Sequence, residues 1–257
     1  MSELLTDLHG AVAVVTINRA EQRNSLSSAV MDGLIAAIAR FRDDDAVRAL
    51  VLTGAGTKAF CAGGDLTSMA GDGAYGGHLA RRRYLEVLEA LAEAGKPVVA
   101  AVNGAALGGG FGLALACDLA VAAESATFGT PEVKVGLFPM MVTALLVRHV
   151  GRKRAMGLAL TGERVDAARA LELGLVNRVV PGEALLAEAV GLAGQLAELS
   201  PAVLRLGREA VYTAADMEYR QSLRYLHGLL SVNAGLEDAA EGVAAFLERR
   251  EARFVGR

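Results

Sequence analysis

The sequence predicts an α/β protein built as a spiral of ββα units, with a helical region at its C-terminal end. Short segments rich in Val, Ile, Leu and Ala, typical of buried strands, alternate with helical patterns and glycine-rich loops. Two strands and a helix recur with loops in similar places, and from Arg164 onward the pattern is mostly helical. These observations favour a spiral over a doubly wound sheet, although periodicity alone does not decide between them.

The first 53 residues predict a hairpin, a helix and a buried strand. The strands are rich in β-branched residues, and the helix has apolar residues at helical spacing after a serine that can cap it. The predicted elements are strands over residues 4–8 and 11–17, a helix from Ser27 or Ser28 to Phe41, and a strand over 47–53.

Glycine is concentrated in the middle of the chain. Residues 54–77 contain eight glycines, a density that neither helices nor strands tolerate well, so this segment predicts a long mobile loop region. A second cluster, Gly108-Gly109-Gly110, opens a helix of small residues that runs through Ala116. Around it the pattern predicts a helix over about 78–94 and strands over 97–102 and 118–122.

The C-terminal third predicts a series of helices. The last of these runs from Tyr219 to the end, and its apolar residues Ala239, Val243, Phe246 and Leu247 suit a helix that packs against something outside its own core. The preceding helices are predicted over 166–173, 182–199 and 201–214.

Composition excludes several classes of partner. A net charge of -3 gives the whole chain no attraction for nucleic acid or acidic membranes. The basic runs 81–83 and 152–154 suit solvated helix faces or helix ends better than a polyanion site, and phosphate contacts are their one remaining alternative. Two cysteines are too few for a disulfide framework, and the first ten residues lack a secretory signal pattern. We therefore expect a cytoplasmic protein that binds neither nucleic acid nor membrane.

Two kinds of site find little support. The run Gly54-x-Gly56-x-x-Ala59 formally matches a dinucleotide fingerprint, but Gly63-Gly64 interrupts the helix that the fingerprint requires. There is no Gly-x-Ser-x-Gly nucleophile motif, and Cys61 is better explained as a small buried residue than as a thiolate nucleophile. The four histidines are scattered without metal-ligand spacing, so we expect no metal and no nicotinamide cofactor.

A third candidate site combines the two glycine clusters with Glu132. Gly63-Gly64 follows a strand, and Gly108-Gly109-Gly110 opens a helix, so both can present backbone N–H groups to an anion. Either cluster alone could be a tight turn. Glu132 also has a structural explanation, because Thr130-Pro131-Glu132 resembles a helix start with an N-cap, a proline and an acidic residue.

These motifs resemble the crotonase (enoyl-CoA hydratase/isomerase) superfamily over nearly the whole chain. The order and spacing of several motifs make the resemblance specific. They are Asn18-Arg19 with Asn24-Ser25-Leu26, the segment 59–66, Asn103-Gly104 with Gly108-Gly109-Gly110, Phe128-Gly-Thr-Pro-Glu132 with Gly136-Leu-Phe-Pro139, Thr161-Gly162, Gly174-Leu175-Val176 and Ala245-Phe246 through Arg250.

The resemblance implies a crotonase-like spiral core over residues 1–195 and a helical oligomerisation region over 196–257 that forms trimers or dimers of trimers. It also implies an acyl-CoA thioester substrate, with CoA as part of the substrate and no separate cofactor. Gly64 and Gly109 would form the oxyanion hole, and Glu132 would be the acid/base. The CoA-binding residues would be Arg23, which suits a surface role equally well, Ala62, Asp65, Leu66 and, from a neighbouring subunit, Phe246 and Arg249.

Two departures from the family pattern bear on the reaction. Hydratases of this family usually carry a second glutamate at the position of Gly112, and adding water normally uses both carboxylates. Met140 and Met141 stand where a glycine-rich turn is common and would line the acyl pocket. Double-bond isomerisation is therefore slightly favoured. Hydration or dehydration, decarboxylation, and acyl-CoA binding without turnover stay open.

Overall fold

The computed structural model describes residues 2–64 and 73–257, except the side chains of residues 73–76 and 80. The strands are β1 (Leu4–His9), β2 (Val12–Ile17), β3 (Ala49–Gly54), β4 (Ala59–Cys61), β5 (Val98–Val102), β6 (Ala105–Leu107), β7 (Leu119–Ala123), β8 (Thr127–Gly129), β9 (Arg164–Asp166) and β10 (Arg178–Val180). The helices are α1 (Ser28–Arg42), α2 (Gly73–Ala92), α3 (Gly109–Ala116), α4 (Met140–Thr161), α5 (Ala167–Glu172), α6 (Leu185–Ala197), α7 (Pro201–Ala214), α8 (Tyr219–Ala234) and α9 (Glu237–Glu248).

The strands form two sheets, and successive strands along the middle of the chain alternate between them. The larger sheet has the order β1-β2-β3-β5-β7-β10, and the smaller sheet has the order β4-β6-β8-β9. Among the strands of the described residues, only β1 and β9 pair antiparallel to their neighbours. Each of the pairs β3–β4, β5–β6 and β7–β8 gives one strand to each sheet before the next helix begins. This arrangement confirms the predicted spiral of ββα units.

The larger sheet separates two hydrophobic cores. Successive side chains of a strand point to opposite faces. Val12 and Val14 accordingly pack with Leu185 of α6, while Val15 and Ile17 face the main core between the sheets and the spiral helices. Both faces of β2 are therefore buried, which explains its almost continuous apolar run.

The first helix begins as the sequence predicts. The Ser27 hydroxyl oxygen accepts a hydrogen bond from the Val30 N–H at 3.1 Å, and its own proton is donated to the Glu3 carboxylate. Ser27 rather than Ser28 is thus the N-cap, and the cap also ties α1 to the N-terminal strand.

The prediction of one loop over residues 54–77 is wrong in two places. β4, the strand expected before Gly63-Gly64, lies within it, and its buried residues Ala59 and Cys61 pair with β6. α2 begins at Gly73 rather than near His78, and it packs on α1. Packing against neighbouring elements therefore overrides the low propensity of glycine at these places. The predicted mobility of residues 65–72 lies outside the described residues.

The C-terminal prediction needs a correction as well. Gly235 and Leu236 separate α8 from α9, so the segment from Tyr219 to the end is not one helix. Residues 251–257 are not helical, because the N–H groups of Val255 and Gly256 donate to the buried carboxylate of Asp238. The strands β6, β8, β9 and β10 and the long helix α4 were not predicted.

Helix α7 is linked to the core by a largely buried ion pair between Arg208 and Asp118. The Arg208 Nε lies 2.9 and 2.8 Å from the two carboxylate oxygens of Asp118, which precedes β7. The other guanidinium nitrogens donate to the carbonyls of Leu91 and Ala92, both at 2.5 Å. One arginine therefore joins α7, α2 and the larger sheet.

Among the described helices, none combines the length and apolar character that a bilayer span requires.

Candidate active site

The two glycine clusters meet where β4 ends and α3 begins. Gly63 has a φ of 91°, and a Cβ there would lie 2.9 Å from the Leu107 carbonyl oxygen and 3.2 Å from the Gly109 nitrogen. A Cβ on Gly110 would overlap the carbonyl oxygen of Cys61. Only glycine permits this approach. Gly64 is the next residue after Gly63, so it lies close to the start of α3, and it is exposed.

Gly109 is the first residue of α3, where a backbone N–H has no acceptor within its own helix. The preceding residue, Gly108, has a φ of 53° and donates its own N–H to Gly129 at 2.9 Å. The turn is thus fixed by pairing with β8, and it directs the start of α3 toward the neighbouring glycine cluster. An oxyanion is the kind of ligand that such a helix start favours.

Glu132 lies against this turn. It belongs to a short 3-10 helix, Pro131–Val135, that follows β8. A Cβ on Gly108 would come 2.7 Å from the Glu132 Oε1, so the absence of a side chain at this position makes room for the carboxylate. The structure therefore brings together the second glycine cluster and the acidic residue, as the sequence predicts.

The carboxylate of Glu132 is incompletely paired. Its Oε2 is buried and has no hydrogen-bond partner among the residues that the structure describes. Burial raises the pKa of Glu132, and a hydrogen bond from its own backbone N–H opposes this only in part. A carboxylate with a free lone pair and an increased affinity for a proton is suited to accept one from a bound molecule.

The alternative explanation of Glu132 as part of a helix start is confirmed in its positions, because Thr130 is the N-cap residue and Glu132 lies in the first turn of the 3-10 helix, but the side-chain cap is missing. The Thr130 hydroxyl makes no cap hydrogen bond and donates instead to the Leu158 carbonyl at 3.2 Å. Thr130 is completely buried, so it fixes β8 to α4. Pro131 still stands at the start of the 3-10 helix, which holds the Glu132 backbone in place.

The first loop is held beside the glycines by Asn24. Its side-chain amide donates to the carbonyls of Ala55 and Ala59 at 3.0 and 2.7 Å and accepts from the Arg19 N–H at 3.0 Å. The next residue back, Arg23, is exposed with a φ of 53°, and its carbonyl accepts from the Ala62 N–H at 3.0 Å. Arg23 and Ala62 are therefore neighbours at the end of β4.

The other predicted site residues are more dispersed. Asp65 and Leu66 lie outside the described residues. Met140 is 72% exposed at the start of α4, and Met141 is half-buried against the main core. Phe246 and Arg249 are exposed at the end of α9, which packs on α7 and α8. Their roles stay predictions.

Sequence reasoning missed Tyr84, which lies on α2 and is almost fully buried. Its hydroxyl donates to the Gly109 carbonyl at 2.7 Å, and a Cβ on Gly112 would overlap the hydroxyl oxygen. In the sequence Tyr84 is one apolar position of a helix among others. Its contact with α3 joins residues 25 positions apart, and no local pattern signals such a contact.

The structure also tests the rejected sites. The run Gly54-x-Gly56-x-x-Ala59 connects β3 to the short strand β4 and not to a helix, so it is no dinucleotide fingerprint. Burial raises the pKa of the Cys61 thiol to about 12, which keeps it protonated and inert. Arg83 pairs with Asp32 at 2.7 Å and with Glu86 at 2.5 Å, as expected of a solvated helix face.

Comparison with known proteins gives one consistent result. The family model described as Enoyl-CoA hydratase/isomerase matches residues 7–257. A protein of Rhizobium meliloti named "Probable enoyl-CoA hydratase" is 42% identical over 255 residues, which cover 99% of this chain and 98% of the relative. The "Enoyl-CoA hydratase, mitochondrial" of Pongo abelii is 36% identical over 247 residues, with coverages of 96% and 84%.

Solved structures agree with the sequence comparison. A crystal structure of enoyl-CoA hydratase from Bacillus anthracis superposes with a TM-score of 0.95 at 35% identity and covers 99% of this chain and 100% of its own. An enoyl-CoA hydratase from Mycobacterium smegmatis gives a TM-score of 0.94 at 35% identity, with 98% coverage of both chains. The spiral and the C-terminal helices are thus shared over the whole length.

Proposed function

This chain belongs to the enoyl-CoA hydratase/isomerase family, and we propose that it moves a proton on an acyl-CoA thioester through an enolate, with Glu132 as the proton carrier. Membership makes it an enzyme of the enoyl-CoA hydratase class in the broad sense. The choice of reaction within that class, the acyl group and the residues that act on it belong to the proposal.

The proposed chemistry follows from the weak acidity of a thioester α-proton. Removing this proton places negative charge on the carbonyl oxygen, and two backbone donors in a dry site would stabilise that charge. We assign these donors to the N–H groups of Gly64 and Gly109. One donor of this kind contributes about 3 kcal/mol in other oxyanion holes.

The observation that carries the proposal is the unpaired Oε2 of Glu132. Burying a carboxylate oxygen without a hydrogen-bond donor costs stability, so its retention beside the glycine turn calls for a partner that arrives with the substrate. Its raised pKa brings the carboxylate closer to the acidity of the groups it must exchange protons with. A single carboxylate can take a proton from C2 and return it at C4.

Isomerisation is the reaction that we favour, because the position of the second hydratase glutamate is Gly112 and is buried. Adding water across C2 and C3 requires a group that delivers the water and a group that protonates the adjacent carbon. Glu132 alone can serve the second task but not both at once. Shifting a double bond has no such requirement.

A direct assay tests the proposal. The purified protein is incubated with 3-enoyl-CoA and with 2-enoyl-CoA, and the absorbance of the conjugated thioester is followed. We expect formation of the conjugated ester from 3-enoyl-CoA, and Glu132→Gln should lower kcat by roughly a thousandfold. Glu163→Gln is the matched control, since this exposed glutamate undergoes the same change of charge.

The assay also separates the alternatives. The names of the relatives favour hydration, which would appear as loss of the conjugated ester from 2-enoyl-CoA. A decarboxylase would release carbon dioxide from a carboxyacyl-CoA. Tight binding of CoA esters with no conversion of either enoyl-CoA, and with Glu132→Gln equally silent, would contradict the proposal and indicate a binding protein.

Assembly is part of the same proposal. In the single chain α8 has no buried residue, and Val243, Phe246 and Leu247 of α9 are 62%, 82% and 74% exposed. Such apolar faces support a homotrimer or a dimer of trimers formed through residues 196–257, with residues 1–195 as the catalytic core. Phe246 and Arg249 would then reach the nucleotide bound by a neighbouring subunit.

The CoA moiety would lie along the first loop and the end of β4. Arg23 is exposed beside Ala62, and this supports a contact with a CoA phosphate. Asp65 and Leu66 would continue the path, and Met140 and Met141 would line the acyl pocket. We propose that no cofactor is required and that the enzyme is cytoplasmic, which suits its bacterial relatives.

A further inference from the structure

Two polar side chains contact the glycine turn that opens α3, and only one of them belongs to the proposed proton transfer. Glu132 lies against Gly108, whereas Tyr84 lies against Gly109 and Gly112. Tyr84 approaches from α2, and Glu132 follows β8. Both groups are near enough for the charge of Glu132 to act on the phenol.

The phenol occupies the space next to Gly112. A Cβ on Gly112 would overlap the Tyr84 hydroxyl oxygen and would lie 3.2 Å from the Val142 Cγ2. Tyr84 is held in this position because its hydroxyl donates to the Gly109 carbonyl at 2.7 Å. Gly112 is therefore required by its surroundings, and a longer side chain at this position has no room while Tyr84 is present.

Tyr84 does not replace a carboxylate chemically. Its one proton is donated to a backbone carbonyl, so it is not free to protonate a substrate carbon. Burial, with smaller contributions from Cys61 and Glu132, raises the pKa of Tyr84 well above its ordinary value. Burial therefore disfavours the phenolate, so at neutral pH the phenol is not poised to act as a base.

We propose that Tyr84 is a specificity-determining residue, whose phenol fills the place that a second carboxylate on α3 would need and so leaves Glu132 as the sole proton carrier. The steric part of this inference stands on the contacts alone. The catalytic part rests on the proposed function, because it concerns which reaction of an enoyl-CoA is possible.

The steric part is tested by a double-mutant cycle on thermal stability. Gly112→Ala should lower Tm by about 5 °C in the wild-type background, because overpacking costs about 2 kcal/mol and a chain of this length loses roughly 2 to 4 °C per kcal/mol. In a Tyr84→Phe background the overlapping oxygen is gone, and Gly112→Ala should then lower Tm by less than half as much as it does in the wild type. An equal loss in both backgrounds, including failure of both proteins to fold, overturns the proposal.

Gly110→Ala is the matched control for the cycle. Its Cβ would overlap the backbone of Cys61 rather than a side chain, so Tyr84→Phe should not reduce its cost. If Tyr84→Phe reduces the stability cost of Gly110→Ala as much as that of Gly112→Ala, its effect is not specific to position 112. The proposed steric contact between Tyr84 and a side chain at 112 is then refuted.

The catalytic part is tested by opening the space and filling it in two ways. Tyr84→Ala is combined with Gly112→Glu or with Gly112→Gln, which have the same size but differ in the carboxylate. Hydration of 2-enoyl-CoA, relative to isomerisation of 3-enoyl-CoA, should be at least roughly tenfold higher with glutamate than with glutamine. Equal ratios of hydration to isomerisation in the two double variants overturn this part. An equal increase of that ratio by Gly112→Glu alone, with Tyr84 still present, overturns it as well.

Failure of this inference is distinguishable from failure of the proposed function. If the wild type converts neither enoyl-CoA, the proposed function fails, while the stability cycle still reports whether Tyr84 excludes a side chain at 112. If Glu132→Gln abolishes isomerisation but the two backgrounds of the cycle lose equal stability, only the inference about Tyr84 fails.

Discussion

Asp238 and Glu132 each have a buried carboxylate oxygen, but the two carboxylates differ in their hydrogen bonding. Asp238, at the start of α9, is almost inaccessible, and each of its oxygens is paired. Its Oδ2 accepts from the Ser200 hydroxyl at 2.5 Å and from the Gly256 N–H at 2.9 Å, and its Oδ1 accepts from the Val255 N–H at 2.7 Å. Glu132 keeps one buried oxygen without any described partner.

The difference appears in their proton affinities. Burial acts to raise the pKa of Asp238, but the hydrogen bonds from Ser200, Val255 and Gly256 outweigh it, and the pKa lies below its ordinary value. For Glu132 burial prevails, and the pKa is raised. A fully paired carboxylate stabilises the fold. One that is left unpaired destabilises the fold and is available to a substrate.

The largest expected effect on stability is at Asp238. Asp238→Asn keeps the shape but removes the charge and turns an amide NH2 toward groups that are themselves donors. We expect the free energy of unfolding to fall by about 3 kcal/mol and Tm by about 9 °C, measured by urea and thermal denaturation. Glu237→Gln, its exposed neighbour, should change the free energy by less than about 0.5 kcal/mol. Equal effects would remove the distinction between paired and surface carboxylates.

The pH dependence of this effect sharpens the comparison. Because folding lowers the pKa of Asp238, its contribution is complete above the ordinary value of 3.8 and is lost as the pH falls through the lower folded value. The stability difference between wild type and Asp238→Asn should therefore be constant from pH 7 to about 5 and shrink in more acidic solution. A difference that grows on acidification would contradict the assigned direction of the shift.

The smallest expected effect has the opposite sign. Folding raises the pKa of Glu132 above its ordinary value of 4.5, so the ionised side chain costs stability at neutral pH. Glu132→Gln should raise Tm at pH 7 by about 2 °C, and the gain should vanish below pH 4.5, where the wild-type carboxyl is protonated in both states. Differential scanning calorimetry at the two pH values measures this. A lower Tm for the glutamine variant at pH 7 would show that Glu132 is structural.

Local signals in the sequence were sufficient for many elements. The β-branched run of β2, the serine cap of α1 and the glycines at 63 and 108–110 each express their structure within a few residues. The position of Glu132 beside the second glycine cluster also followed, because the family motif fixes its spacing. Strong local preference and specific motifs are what a single sequence conveys reliably.

The parts that were missed depend on contacts between distant residues. Asp238 carries no local signal, since it falls inside the helix that the sequence predicts from Tyr219 to the end, yet its carboxylate accepts hydrogen bonds from Ser200 and Val255. The strands β9 and β10 have three residues each, too few for a period to be recognised. Tyr84 required knowledge of how α2 lies on α3. Such contacts arise only when the tertiary structure is formed.

The order of the strands in the larger sheet has a consequence for how the protein is made. From β1 to β10 every strand lies next to one that precedes it in the chain, so the sheet grows from one edge in the order of translation. A strand that leaves the ribosome therefore finds one partner strand already synthesised. Exposed strand edges invite aggregation, and vectorial growth of this kind leaves only one advancing edge at a time.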